Sequence, residues 1–513
     1  MGRWLIRVSL MLTGLTVLTR LPGLVLGRMF NVDESYLAAM GLTIGRGGHL
    51  YLDAVDRKPP VLPWLYSLSQ SLTGSEDLRP MRLMATLVIA ATGVMVAMLV
   101  VRLGGSRGSA FAAGALLVVG TAAFLPADAQ AANFELFALL PASAAVLLAV
   151  SARSSPSTTR TALSFAAAGS LVALAGMIKQ PFFAMLAPVG WEIWRSRPRS
   201  RAALATVLGL AASILAIGSP FGLASVWRWA WFDTGDYLSG QIDLTRTAAM
   251  LGVVLGLFAV LHIPVLSSIW GNRSRLHRVD TVIWFWFAGA LVAIVPGFRF
   301  IAHYFELLIP PLAVMTGLLL ATPMPAPPDF TDSASATPGR RPTRHPAQRV
   351  VVASIAIALG CTVMSTMSFA NAGQVTPELV SQIQAHSRTN DRILVWGALP
   401  ETYWRAKRLP GDRFLSVGYL TGKWADRSHP PPNAELIEPF RSRWKIFNRD
   451  LRAHPPTVVV DTSTSGMDGW NHYGPGRYPF GAILASCYHD EGQTDGMTIW
   501  TLVDAACVRR LAN

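Results

Sequence analysis

The stretch Leu83-Met84-Ala85-Thr86-Leu87-Val88-Ile89-Ala90-Ala91-Thr92-Gly93-Val94-Met95-Val96-Ala97-Met98-Leu99-Val100-Val101 runs without one charged side chain and closes on Arg102. A helix of roughly 17 to 25 apolar residues crosses a bilayer core, with every backbone amide satisfied inside the segment. Similar stretches recur from Leu5 to about Phe369 and then stop. Composition agrees, with 51% hydrophobic and 14% charged residues, against roughly 25% charged in a soluble domain. The chain therefore reads as a polytopic α-helical membrane protein with about eleven transmembrane helices. A C-terminal extracytoplasmic α/β domain follows them.

The spans fall near Leu5–Leu26, Leu83–Val101, Ala110–Leu125, Phe134–Val150, Ala162–Ile178, Pro181–Trp194, Ala202–Ile217, Thr247–Trp270, Thr281–Pro296, Tyr304–Thr322 and Val350–Phe369. Several are shorter than the hydrocarbon core, as expected of helices packed inside a cluster around a polar cavity. The net charge of +14 is spread over alternate short loops, at Arg102 and Arg107, at Arg153 and Arg160, at Arg195 to Arg201, at Arg273 to Arg278 and at Arg340 to Arg349. This is the positive-inside pattern, not the one-faced basic stripe of a nucleic-acid binder. It places the N-terminus, with Arg3 and Arg7, in the cytoplasm, and an odd number of spans places the C-terminal domain outside. The first apolar stretch exceeds a signal-peptide core and lacks an A-x-A-like cleavage site, so it reads as a retained helix.

The expected domains are a transmembrane region, 1–369, with a first outer loop at 28–82 and a cytoplasmic linker rich in Pro, Ser, Thr and Ala at 323–349, and a soluble domain, 370–513. The first outer loop holds two amphipathic stretches, Glu34–Ile44 and Val61–Leu72, suited to the membrane interface. The outer loop from Gly218 to Arg246 carries Trp227, Trp229, Trp231 and Tyr237, aromatic residues of the kind that settle at headgroup depth. In the outer domain the pattern predicts helices near Pro377–His386, Glu401–Arg408 and Ala434–Arg452, with strands at Arg392–Trp396, Thr457–Asp461 and Met497–Val503. No phosphate-binding glycine fingerprint and no clear internal repeat accompany them. Cys487 and Cys507 fall in this domain, where an oxidising exterior permits a disulfide; two buried free thiols are the alternative.

The polar residues at the outer ends of the spans carry the chemistry. Asp33 and Glu34, in Met29-Phe30-Asn31-Val32-Asp33-Glu34-Ser35-Tyr36, form an acid pair beside an apolar cavity, where desolvation would raise a carboxylate towards the working pH of a general base. The alternative is that Asp33 caps a helix starting at Glu34. Asp56-Arg57-Lys58-Pro59-Pro60 holds two cations stiffly beside apolar sequence, which suits a phosphate on a lipid tail. Headgroup anchoring or a salt bridge to Asp53 or Asp56 would explain it as well. Asp128 and Gln130, Asn133 and Glu135, Lys179 and Gln180, and Arg299 and His303 all lie on the same predicted side, and ionisable groups at membrane depth are costly enough to be functional suspects.

Together Asp33-Glu34, Arg57-Lys58-Pro59-Pro60, Asn133-x-Glu135, Lys179-Gln180-Pro181 and Arg299-x-x-x-His303-Tyr304-Phe305 resemble the C-type glycosyltransferase superfamily. The branch they resemble is that of the protein O-mannosyltransferases and bacterial lipid A aminoarabinose transferases. Val395-Trp396-Gly397-Ala398-Leu399-Pro400-Glu401-Thr402-Tyr403 is also similar to bacterial members. The resemblance implies transfer of a monosaccharide from a polyprenyl-phosphate donor to a lipid, polysaccharide or protein acceptor at the outer face of the plasma membrane, with inversion and without a nucleotide cofactor. By that analogy Asp33, with Glu34, is catalytic. Arg57, Lys58, Lys179 and Arg299 bind the donor phosphate, and Tyr36, Asp128, Asn133, Glu135, Gln180, His303 and Tyr304 line the substrate pocket. A divalent cation, Mg2+ or Mn2+, would sit on Glu34, Glu135 and His303. Two other classes fit the same residues: a flippase for lipid-linked sugars, and a non-catalytic envelope scaffold.

Overall fold

The structure is a computed structural model describing residues 2–74, 77–155, 157–233, 243–296, 298–321, 346–367, 375–424, 433–466 and 471–512. The expected spans fall on helical segments, though not all on single helices long enough to cross a membrane: the first, Leu5–Leu26, is two helices, Gly2–Thr19 and Leu21–Val25. Among the described residues seven helices are long and apolar enough to cross a membrane, among them Arg79–Arg102, Thr158–Ile178 and Pro346–Met367, and Arg107–Ala122 and Thr281–Ile294 are shorter apolar helices. The last long helix starts at Pro346, four residues earlier than expected. The rest of the expected cytoplasmic linker, the 369/370 boundary and Tyr237 lie outside the described residues.

Prolines set where the helices stop. Thr158–Ile178 ends because Pro181 has no N–H to give to the Met177 carbonyl, and Lys179 leaves in an extended conformation. Expected as a single span, Pro181–Trp194 is instead a 3-10 turn, Gln180–Met185, followed by a helix, Leu186–Arg195. Thr247–Trp270 is likewise two helices, Leu244–Leu261 and Ile263–Gly271, divided at His262 just before Pro264. Pro310 and Pro311 cannot donate to the carbonyls of Glu306 and Leu307, so Ala302–Leu308 winds as 3-10 helix before Ile309–Ala321. Elsewhere small residues allow close approach. Gly169 faces the Thr206 carbonyl and Gly209 the Ala166 carbonyl, so a Cβ on either would collide where Thr158–Ile178 crosses Arg199–Gly218.

The loop expected to be the first outer one contains two helices, Val32–Gly45 and Val61–Thr73. Their expected place in the membrane interface holds poorly for the first, whose Leu37, Ala38, Ala39 and Met40 are all fully buried. The second does expose an apolar stripe, Trp64, Leu68 and Leu72. Trp229 also departs from the headgroup expectation. It is buried, with its ring edge-on to Phe414 and Tyr419 of the outer domain at 5.9 and 6.1 Å. Trp227 is the exposed tryptophan of that turn.

The C-terminal region, expected to lie outside, is built on a five-stranded sheet of order β2-β1-β3-β5-β4, where β1 is Arg392–Trp396, β2 Leu409–Pro410, β3 Val458–Asp461, β4 Tyr488–Thr494 and β5 Met497–Leu502. The strands β2, β1 and β3 are parallel, and β5 and β4 add antiparallel. Sequence patterning finds β1, β3 and β5 but not β4, a hairpin strand of polar residues, nor the two-residue β2. The helix expected at Ala434–Arg452 is broken by Pro439, leaving a 3-10 turn and the helix Phe440–Ala453. Cys487 and Cys507 form a disulfide that ties the helix Phe480–Cys487 to the helix Ala505–Leu511.

Candidate active site

One cavity of about 450 Å³ opens between the helix bundle and the first outer loop. Its polar wall carries Asp33, Arg57, Lys58, Glu135, Lys179, Gln180, Arg299, His303 and Tyr304, and its apolar wall includes Ile178, Phe182, Ala293, Pro296, Ile301 and Leu307. A lining that combines charged and apolar side chains suits a ligand with an anionic head and a hydrocarbon tail.

Asp33 and Glu34 are neighbours with different fates. The helix Val32–Gly45 is capped by Asn31, whose side chain accepts from the Asp33 amide at 2.9 Å, so Asp33 is not the cap and its carboxylate is left for the cavity. Lys58 Nζ lies 2.6 Å from Asp33 Oδ1. Burial alone would raise the Asp33 carboxyl, but the charges of Lys58, then His303 and Lys179, outweigh it and hold the group down at about 2. The expectation of a carboxylate raised towards neutral pH is therefore corrected for this state of the site: desolvation is the largest single influence, but the neighbouring cations together outweigh it.

Glu34 does not reach the cavity. It is fully buried and accepts from Arg82 Nε and Nη2 at 2.8 and 2.7 Å, from the Ala132 amide at 3.0 Å and from the Phe30 amide at 3.2 Å. Arg82 in turn donates to the carbonyls of Leu26 and Arg28. Both oxygens of Glu34 are occupied, which corrects its catalytic and metal-binding assignments. Its role is to pin the loop that carries Asp33 against the loop before Phe134–Ser151.

Lys58 is aimed from a rigid backbone. Its carbonyl accepts from the buried Tyr51 hydroxyl at 2.7 Å, Pro59 and Pro60 follow, and its ammonium also lies 4.3 Å above the Phe134 ring. Arg57 stacks over Trp424 of the outer domain at 4.7 Å and lies 3.7 Å from Asp56. Gln180 donates to the carbonyls of Arg57 and Ala230 at 2.8 and 2.7 Å, tying three segments of the rim together. Lys179 pairs with Glu135 and sits 4.1 Å above the Tyr304 ring. His303 Nδ1 is 2.7 Å from Asp128 Oδ1, and its Nε2 is 3.7 Å from Glu135. Arg299 stands between Phe298 and Phe300, whose φ values of 48° and 44° lie in the left-handed region, a strained way to turn the chain that is most often kept at functional sites.

Three expected pocket residues stand behind the wall. Asp128 is buried and paired with His303. Asn133 is buried and donates to the Asp128 carbonyl at 3.3 Å, and Tyr36 points into the seam with the outer domain, beside Ser416. The metal set also fails to assemble, because Glu34 is held by Arg82, Glu135 is held by Lys179, and among the described residues no three His, Cys, Asp or Glu side chains converge. The residues present do not fit a divalent ion. Sequence reasoning missed Arg82, Tyr51 and Trp424. Arg82 had a signal, a second cation after Arg79 in the first turn of an apolar helix; the other two had none.

A helix bundle and an α/β domain enclose this cavity of paired acids and cations, and solved structures with the same arrangement exist. Two structures of ArnT from Cupriavidus metallidurans share it along nearly the whole chain. The one bound to undecaprenyl phosphate has a TM-score of 0.58 at 13% identity, covering 97% of both chains. The apo form has a TM-score of 0.58 at 14% identity, covering 99% of this chain and 98% of that one. At these identities the likeness is one of fold. The S. cerevisiae Pmt1-Pmt2 complex bound to its sugar donor is similar over 43% of this chain and 34% of that one, at 18% identity and a TM-score of 0.37, too slight to bear on the fold. In sequence, residues 48–235 match the dolichyl-phosphate-mannose-protein mannosyltransferase family. That stretch contains Arg57, Lys58, Glu135 and Lys179 but not Asp33 or His303. No curated protein sequence matches the chain.

Proposed function

We propose that this chain is a membrane glycosyltransferase. It moves a hexosyl or pentosyl group from a polyprenyl-phosphate donor to a lipid, polysaccharide or protein acceptor on the extracytoplasmic face, with inversion at the anomeric carbon. The observation that carries the proposal is a cavity lined by the Asp33 carboxylate, four cations, Arg57, Lys58, Lys179 and Arg299, and apolar side chains. The undecaprenyl phosphate bound by an ArnT of the same fold supports the donor class.

In this reading the polyprenyl chain lies along the apolar wall and the phosphate rests among the cations. Asp33 accepts the proton of the acceptor hydroxyl as its oxygen attacks from the face opposite the phosphate, and Lys58 with Arg57 offsets the charge that grows on the leaving phosphate. The His303–Asp128 pair and Glu135 fix Lys179. The matching orientation has the N-terminus in the cytoplasm, about eleven spans in the plasma membrane and residues 370–513 outside.

The test is transfer of radiolabelled sugar from a panel of polyprenyl-phosphate monosaccharides in membranes containing the native chain or Asp33→Asn. Loss of a general base lowers turnover by about 10² to 10⁴-fold. Label reaching an acceptor only with the native chain supports the transferase. Movement of lipid-linked sugar across the membrane by both forms, without transfer, would establish the flippase instead.

A further inference from the structure

Both lysines of the cavity are already engaged by carboxylates, Lys58 by Asp33 and Lys179 by Glu135. The two pairs differ in what they leave open. Glu135 is fully buried and has His303 as a second neighbour. In the first pair both side chains keep about a fifth of their surface exposed, 20% for Lys58 and 22% for Asp33. Their backbones are fixed, at Lys58 by Tyr51 and the two prolines and at Asp33 by the Asn31 cap. The flexible four-carbon stem of Lys58 is therefore the part that can move. While its ammonium stays on Asp33, the carboxylate lone pair is spent on a proton it cannot remove, and Asp33 is a poor acceptor for a substrate hydroxyl.

We infer that Lys58 is a latch on the base, opened by the donor: the donor phosphate takes Lys58 away from Asp33, so that only the donor-loaded cavity offers a carboxylate to the acceptor. The inference rests on the glycosyltransferase reading above. The exchange is neutral in charge, because a sugar phosphodiester carries one negative charge, as the carboxylate does. In the transfer that follows, the acceptor O–H bond breaks and its proton goes to Asp33, while the acceptor oxygen bonds to the anomeric carbon. The bond from that carbon to the phosphate oxygen breaks, and its electron pair stays on the phosphate, now a monoester held by Lys58. When polyprenyl phosphate leaves, Asp33 gives its proton to water and recaptures the lysine. Donor binding thus precedes acceptor activation.

Binding of undecaprenyl phosphate to the full chain in lipid nanodiscs tests the latch, with four forms compared: native, Asp33→Asn, Lys58→Gln and the double variant. Competition for Lys58 makes Asp33→Asn bind roughly tenfold tighter than native, and Lys58→Gln bind more weakly by a similar factor. In the Lys58→Gln background the Asp33→Asn change should then have no effect, since the competition runs through the lysine. Tightening that persists in that background means simple charge repulsion and overturns the latch. So does unchanged or weaker binding by Asp33→Asn. The transfer assay stands apart: an Asp33→Asn chain that still transfers sugar overturns the base reading whatever its affinity. Because Asn31 supplies the cap, Asp33→Asn keeps the helix start; should it fail to give a monodisperse chain, Asp33→Ser serves for the same four-way comparison.

Discussion

Asp412 shows at the residue scale how the outer domain tolerates an ionisable group that the cavity does not use. It is buried, its Oδ1 finds no hydrogen-bond partner among the described residues, and burial, then the nearby charge of Asp450, push its carboxyl well above the usual carboxylate range. A carboxyl raised on folding is neutral in both states below about pH 4, the unfolded value. As pH rises from there, the unfolded chain ionises freely and the folded one does not, so stability falls. Asp412→Asn removes the penalty. The variant is expected to unfold at higher temperature than native at pH 7, with the gain vanishing at pH 4, as read from thermal melts of the full chain in detergent. A gain of equal size at both pH values would mean that packing, not charge, is responsible.

The ion pair between Arg82 of the helix Arg79–Arg102 and Glu34 of the helix Val32–Gly45 couples two elements. Its side chains are 2% and 0% exposed, so neither charge has water to fall back on. Removing one partner of a buried pair typically costs about 3 to 5 kcal/mol, whereas replacing both by apolar groups of similar volume costs far less. Arg82→Met is therefore expected to lower the melting temperature sharply, and Arg82→Met combined with Glu34→Leu to recover much of the loss. Recovery of fold without recovery of transfer would show that the pair positions Asp33 as well as stabilising the chain. Full activity in the double variant would sink the positioning role.

At the scale of the whole molecule, the outer domain is fastened to the loops that carry the cations. The Val55 amide donates to the Arg413 carbonyl at 2.7 Å, Arg443 reaches Asp233 at 3.4 Å, and Arg57 stacks over Trp424. Trp229 fills the centre of this seam. Trp229→Ala should remove about 3 to 5 kcal/mol of packing, felt locally as faster hydrogen exchange in residues 409–424 and functionally as a raised KM for the donor, because Arg57 loses its rigid backing. Faster exchange with unchanged KM would separate the outer domain from donor binding and leave it a role at the acceptor alone.

What the sequence alone determined is what depends on local chemistry. Apolar runs mark the helices because an unpaired backbone amide is costly in hydrocarbon. Proline marks their ends because it lacks the donor that would continue them, and so Lys179 and the Ala302–Leu308 turn fall where the cavity lies. The acids and cations that gather at one end of the bundle were legible for the same reason. Tertiary structure decided which of them face one another. Asp33 and Glu34 are adjacent, and a helix rotates about 100° between neighbours; that rotation sends one carboxylate to the cavity and Lys58, the other into the core and Arg82. No spacing reports it, since Arg82 lies 48 residues from Glu34. Trp229 reads as a membrane-surface residue until the outer domain folds over it, and the partnership of Cys487 with Cys507 needs two helices brought side by side. Long-range pairing of charges and rings is set by packing, and packing is not written in any window of the chain.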